Sequence, residues 1–475
     1  MHTFLKWALA IGAALGSLPA LAADADLEAL RADLAQMKAV YEQRIAALEQ
    51  RLAQREAKAA AADSGQAALA PASEGSAPAA ANAFNPEISL ILSGMYTNTA
   101  RDARQDPTGV AGRERRPQGV LPSGLVSGVE ARSWNLGESE LALSSMIDPL
   151  FRGNLLLSIA PDDTVGVEEA QIQTLGLGHG LTVKAGRFFS GIGYANEQHA
   201  HVWDFSDAAL PYQAFFGPQL GYDGVQVKWL APTDLFLELG AESGRARGFP
   251  ATDHAASKNG FLSGSLFAHL GGDLGVSGSW RGGLSYFQAK PRNRVYDDVD
   301  SAGNQVTNAF SGKSRTLVAD FVWKWAPQGN PQVNNFTLQG EWFRRREEGA
   351  LAFDTTGITP AANLTGDFRS AQSGFYVQGI WQFRPAWRVG YRYDQLSSPS
   401  ISNGLIESGA LTAADLPILS AYRPQRQTAM VDWSPSEFSR IRFQVARDQT
   451  RPEVTDNQLW LHYIMSLGTH GAHKF

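Results

Sequence analysis

With 475 residues, 44% of them hydrophobic and none of them cysteine, the chain has material for several soluble cores or one large barrel. The lack of cysteine excludes a disulfide framework, a thiolate metal site and a lipid-modified amino terminus. A formal net charge of -6 speaks against a nucleic-acid partner, and no run reaches the roughly 18 apolar residues of a membrane helix, so any membrane contact falls to strands.

The chain opens with Lys6 ahead of an apolar run through Trp7, Leu9, Ile11 and Leu15 that closes on Ala20-Leu21-Ala22. This pattern predicts a signal peptide over 1–22, cleaved after Ala22. Over 23–60, Leu27, Leu30, Leu34, Met37, Tyr41, Ile45, Leu48 and Leu52 form one stripe with alternating steps of three and four. That is a coiled-coil seam, with a stutter between Leu34 and Ile45. So narrow a seam is buried by pairing with copies of itself. Residues 61–83 are rich in Ala, Ser, Pro and Gly and read as a tether.

Period-two alternation governs 84–475. It appears in Ile88, Leu90 and Leu92 against Ser89 and Ser93, in Leu141 and Leu143 after Glu138 and Glu140, and in Leu235, Leu237 and Leu239 beside Glu238 and Glu242. It recurs in Trp387, Val389, Tyr391 and Tyr393 against Arg388, Arg392 and Asp394, and in Ile441, Phe443 and Val445 against Arg442. The last segment is the cleanest: Leu459, Leu461, Tyr463, Met465 and Leu467 oppose Gln458, His462, Ser466 and His470. Segments of about ten residues with one apolar and one polar face predict lipid-facing barrel strands.

Seven short turns (Asp148-Pro149, 176–180, 231–234, 271–273, 326–331, 384–386 and 434–436) alternate with eight other connections, most of them long and polar. The fold class expected is therefore an all-β transmembrane barrel of about 16 antiparallel strands, preceded by the coiled-coil helix, with both ends on the short-turn, periplasmic side. Trp229, Trp323, Trp325, Phe383, Trp387 and Trp433 lie near short turns, whereas Tyr96, Tyr286, Trp342, Tyr391 and Tyr393 lie toward the loops. Two aromatic girdles are what a spanning barrel requires.

The third loop, 188–221, holds Phe188, Phe189, Tyr194, Trp203, Phe205, Tyr212, Phe215 and Phe216, too many rings to leave in water. It is expected to fold inward as a constriction, with Arg187, Glu197, His199, His201, Asp204 and Asp207 lining it. Lys184, Lys228, Arg388, Arg392, Arg442 and Glu238 are expected as lumen charges, with Arg345 set beside them against Glu138, Glu140, Glu242, Asp320, Glu341 and Asp394. His199 and His201, two apart in an extended segment with Glu197 and Asp204 near, form a candidate metal pair.

The run Val167-Glu168-Glu169-Ala170-Gln171-Ile172-Gln173, followed by Leu181-Thr182-Val183-Lys184-Ala185-Gly186-Arg187-Phe188, resembles the phosphate-selective porin (O/P) superfamily of Gram-negative outer-membrane porins. That resemblance implies sixteen strands, a homotrimer and, in some members, an amino-terminal coiled coil. Phosphate-taking members use Arg and Lys ladders; here Lys is scarce in the barrel and the third loop carries carboxylates, which argues against phosphate specificity. The terminal Phe475 resembles the signature by which the barrel-assembly machinery recognises its clients. The tail is also similar to proteobacterial outer-membrane proteins sometimes labelled zinc-regulated TonB-dependent receptors, but such receptors fill a barrel of about 22 strands with a separate plug domain, and here the expected coiled coil and tether occupy that place.

The reading that results is a passive channel in the outer membrane of a Gram-negative bacterium, contacting membrane lipid and passing small charged solutes, with no cofactor and no catalysis. Rival readings are a gated receptor for a metal ion or chelate, a structural envelope protein, and an outer-membrane hydrolase. Against the last, there is no Gly-x-Ser-x-Gly elbow.

Overall fold

Alternation along the final segment fixes the first pairing that matters. Leu461, Tyr463, Met465 and Leu467 are exposed on one face, while Gln458, Trp460, His462 and Ile464 are buried on the other. The computed structural model describes residues 86–100, 132–160, 163–251, 263–451 and 454–468. The expected signal peptide, coiled coil and tether, and the terminal Phe475, lie outside the described residues.

In chain order the strands are β1 (Glu87–Thr99), β2 (Ser133–Leu136), β3 (Ser139–Met146), β4 (Phe151–Ile159), β5 (Val165–Thr174), β6 (Leu181–Phe189), β7 (Gly221–Leu230), β8 (Phe236–Arg247), β9 (Ser263–Leu274), β10 (Gly278–Ala289), β11 (Arg294–Val299) and β12 (Gln305–Trp325). Then follow β13 (Asn335–Ala352), β14 (Thr365–Arg384), β15 (Trp387–Leu396), β16 (Ser400–Asn403), β17 (Gln425–Ser436), β18 (Ser439–Arg451) and β19 (Val454–Gly468). All belong to one antiparallel sheet. β2 and β3 are two parts of a single wall strand that both pair with β1, and β11 and β16 sit in long connections, so the barrel wall has sixteen strands. β1 pairs with β19 from Ser89↔Gly468 to Thr99↔Gln458, which closes the cylinder.

The seven short turns all occur. Two are displaced from their expected places: the chain reverses at 275–277 rather than 271–273, and at 437–438 rather than 434–436. In both cases the strand continues through residues that read as turn formers, since Gly271–Asp273 and Ser436 keep cross-strand partners.

The exterior is apolar and the interior charged. Leu266, Leu284, Val377, Phe443 and Met465 are exposed, while Arg345, Arg392, Arg442, Asp394 and Asp432 are buried. A soluble sheet protein would have these reversed; a surface of this kind is stable against hydrocarbon. On β13 the edge of the apolar belt is sharp. The outward positions Phe336, Leu338 and Trp342 give way to Arg344, Arg346 and Glu348, all three exposed. Arg315 and Lys313 face Arg346 and Glu348 across the β12 ladder. Above that edge the long connections form their own core from Tyr296, Phe310, Leu351, Phe368, Leu405 and Leu419, beside a buried bidentate pair between Arg294 and Glu347 at 2.8 and 2.9 Å.

Phe443 points outward near the middle of β18. The variant Phe443→Arg should lose about 2–4 kcal/mol of folding free energy in phospholipid vesicles, whereas Glu348→Gln, beyond the belt, should stay within about 0.5 kcal/mol; urea titrations of the refolded proteins check both.

Candidate functional site

The third loop, residues 190–220, leaves β6 and turns into the barrel. Its helix α1 (Leu210–Phe216) starts with Pro in its first turn and ends at Gly217 in the left-handed region, and all seven of its residues are buried. Phe188, Leu210, Tyr212, Phe215, Phe216 and Leu220 pack with the inward side chains Tyr222, Phe267, Phe287, Phe343, Tyr376 and Leu396 of six strands. Burying rings of this size is worth about 1.5–3 kcal/mol each, and this holds the loop inside.

Polar contacts then fix its register. On β8, Glu242 accepts from the Gly191 N–H at 2.7 Å and from the Ser190 hydroxyl. On β13, Glu341 accepts from the Tyr194 and Ala195 N–H groups at 3.1 and 3.0 Å and from the hydroxyls of Tyr212 and Tyr376 at 2.8 and 2.6 Å. Gly193 lets the backbone come this close: its φ is +63°, and a Cβ there would meet Glu341 at 2.3 Å and the Tyr212 hydroxyl at 2.6 Å.

The six expected constriction residues divide by position. Arg187, expected in the constriction, instead lies on the outward face of β6, in register with Leu181 and Val183, and pairs with Asp223 of β7 at 2.7 Å. Glu197 accepts from Lys228 at 3.1 Å, and Lys228 also lies 3.6 Å from Glu238. His199 lies 3.3 Å from Glu168 and 3.7 Å from Glu169 of β5, and His201 meets Glu140 of β3 at 2.9 Å. Asp204 accepts from Arg388 of β15 at 2.9 Å. Asp207 accepts from Arg392 at 3.0 Å and from the Gln444 amide at 2.9 Å, and pairs with Arg426 of β17 at 2.6 Å. His199 and His201 thus stay together beside Glu140, while Glu197 and Asp204, expected near them, are engaged elsewhere.

Of the expected lumen charges, Lys184, Arg392 and Arg442 are buried and Lys228, Arg388 and Glu238 half-buried, all on the inward side. Arg426, Arg440, Asp432 and Asp448 join them and were not foreseen, although Arg426, Thr428, Met430 and Asp432 alternate at period two. Together Arg388, Arg392, Arg426, Arg440 and Arg442 face the wall carboxylates Asp394, Asp432 and Asp448. Five cations meet three anions, and Asp204 and Asp207 of the loop make up the difference. Arg442 and Arg440 also donate to the carbonyls of Trp203 and His201. Between Trp203, Asp204, Tyr212, Gln378 and Arg392 a gap of about 30 Å³ remains, room for a water or two.

Several loop groups are shifted from their ordinary titration ranges, His199 and Asp207 among them. Burial opposes the charge on His199, but hydrogen bonds to Glu168 and Glu169 and the charge of Glu140 outweigh it and hold the imidazole well above its usual pKa. Burial likewise pushes Asp207 upward, and the charges of Arg426 and Arg392 overcome that and leave it below the usual carboxylate range.

No family model matches the sequence. An uncharacterized protein of Aquifex aeolicus (strain VF5) is 31% identical over 420 residues, covering 83% of this chain and 80% of that one. The chain belongs to the family of that Aquifex protein. Among solved structures it is similar to the outer-membrane channel DcaP of Acinetobacter baumannii, with a TM-score of 0.46, 10% identity and coverage of 81% of this chain and 97% of that one. It is also similar to the trimer form of OmpT, an outer-membrane protein of Vibrio cholerae (TM-score 0.46, 8% identity, 81% and 99% covered). A third is an anion-selective porin from Comamonas acidovorans (TM-score 0.44, 10% identity, 81% and 99% covered).

Removing one partner of a buried ion pair costs about 3–5 kcal/mol, and Asp207→Asn should weaken the barrel by that order at neutral pH. Because the folded pKa of Asp207 is depressed, its contribution is complete above the unfolded value of about 3.9 and drains away as pH falls through the folded one. The stability gap between wild type and Asp207→Asn should therefore be constant above about pH 5 and close on acidification, as followed by thermal melts of the detergent-solubilised proteins.

Proposed function

We propose that the protein is a porin of the Gram-negative outer membrane, a water-filled route for small charged solutes whose bore is narrowed by the third loop. The observation that carries this reading is a closed barrel, apolar outside and charged inside, with a connection of thirty-one residues laid across its lumen and bonded to opposite walls, to Glu242 of β8 and Arg442 of β18. The loop's Glu197, His199, His201, Asp204 and Asp207 set size and sign. Diffusion past Lys184, Lys228, Glu238, Arg388, Arg392 and Arg442 involves no bond-making.

In the same reading the protein is a homotrimer, its amino-terminal coiled coil a periplasmic stalk, and Phe475 the handle for the barrel-assembly machinery. What supports the stalk's placement is that Glu87 and Gly468, the first and last strand residues, both lie at the short-turn end, where Ser89 pairs with Gly468 and Glu87 with Ser144.

Purified protein added to a planar bilayer should give discrete conductance steps, often in threes; a consistently silent bilayer under voltage would sink the channel reading. Deleting 23–60 should shift the trimer toward monomer on native gels while leaving heat-modifiable migration of the barrel intact, and an unchanged oligomer would remove the stalk from the account.

A further inference from the structure

The sector of the wall built by β3 to β5, separated from the arginines by β19 and β1, has the reverse character. Glu140 on β3 and Glu168 and Glu169 on β5 converge on His199 of the loop, and Glu138, between β2 and β3, hydrogen-bonds Glu168. Two consecutive strand residues ordinarily point to opposite faces. Here the β4–β5 ladder skips a residue, with Leu156 opposite Glu169 and Leu157 opposite Val167. Glu168 is the extra residue of a β-bulge, which aims both carboxylates into the lumen.

The bulge is held in place from the loop side of the wall. Arg187 and Arg247 donate to the Val167 carbonyl at 3.0 and 3.3 Å, Arg247 to the Glu168 carbonyl at 2.9 Å, and the Phe189 N–H to Glu169 at 3.2 Å. The His201 ring lies parallel to that of His199, 5.9 Å away. One oxygen at the centre is unmatched. Glu140 is 1% exposed, its Oε1 meets His201, and its Oε2 has no hydrogen-bond partner and lies 4.0 Å from His199 Nδ1. A bare buried carboxylate oxygen is costly, and this one lies among the ligand atoms of Glu168 and His199.

We propose that Glu140, Glu168 and His199, with Glu169 and His201 beside them, hold one divalent transition-metal cation that ties the third loop to the β3–β5 wall. The ligand atoms of the first three lie within 4.8 Å of one another. Around zinc, with bonds of about 2.0–2.2 Å in a tetrahedron, neighbouring ligand atoms sit about 3.3–3.5 Å apart. His199 Nδ1 and Glu168 Oε2, at 3.3 Å, already do; Glu140 Oε2 closes the remaining distance by a small side-chain rotation. An imidazole nitrogen among carboxylate oxygens suits zinc, manganese, iron, cobalt or nickel better than magnesium or calcium. Glu138 carries the proton of its bond to Glu168, and Lys184, close enough to Glu169 for its charge to act there, offsets one of the three charges of Glu140, Glu168 and Glu169, so a dication that displaces the His199 proton has a place. Because the site draws on both loop and wall, it is complete only with the loop inside the barrel.

The inference stands on the loop's position and not on conductance, so it is tested without a bilayer. Full-length protein refolded in detergent, stripped with chelator and dialysed against zinc in excess magnesium, should retain about one zinc per chain by elemental mass spectrometry. The double variant His199→Ala, Glu168→Gln should bind roughly tenfold or more weakly, while His470→Ala with His473→Ala should bind as wild type does. X-ray absorption of zinc-loaded wild type should report a mixed imidazole and carboxylate shell, and it decides the matter alone if the cluster variant does not fold. Undiminished binding by the folded cluster variant, loss in the tail variant, an all-oxygen shell, or no zinc on folded wild type would overturn the proposal. Conductance of the metal-free protein is measured separately, so either reading survives the failure of the other.

Discussion

Hydrocarbon offers nothing to a peptide N–H, so a chain that faces lipid with strands has to satisfy every backbone group within its own sheet. Here the demand is met by one pairing: β1 and β19, at opposite ends of the barrel's sequence, join over eleven registered positions. Once the sheet is a cylinder, the period of two does the rest. One face of every strand meets apolar surroundings, and the other is enclosed, where Arg, Lys, Asp and Glu accumulate because the outside will not take them.

Enclosure creates a second demand. A buried charge without a partner is far more expensive than the sheet can tolerate, and the wall formed by β15, β17 and β18 carries more arginines than aspartates. The third loop answers with Asp204 and Asp207 on that side and with His199 and His201 on the acidic side. Apolar burial of Tyr212, Phe215 and Phe216 supplies most of the energy that keeps the loop within the lumen, while the charged contacts and Glu341 decide where along the wall it rests. Greasy rings give attraction without address; carboxylates give the address.

Much of this was legible in the residues. The alternation in 457–467 announces its own exposed face, and the density of rings in 188–221 announces a loop that shuns water. What alternation does not show is where it breaks. Glu168 enters the lumen only because β5 carries one residue more than β4 at that point, and a bulge leaves no trace in a hydropathy pattern. Turn chemistry misled at Gly271-Gly272-Asp273, where the small residues serve the ladder: a Cβ on Gly271 would meet the Trp280 carbonyl oxygen at 2.8 Å. Partnership across the lumen, such as Asp207 with Arg426, joins residues more than two hundred positions apart, and a single sequence carries no measure of that distance.

The outward face of β13 passes from the indole of Trp342 to the guanidinium groups of Arg344 and Arg346 within four residues, about 13 Å along the strand. A cylinder marked so abruptly has almost no freedom to ride higher or lower in a bilayer, since a shift of one pleat would either submerge a cation or strand an aromatic ring. In a membrane too thick or too thin for the belt, the lipids beside this sector must therefore stretch or thin, because the protein will not slide.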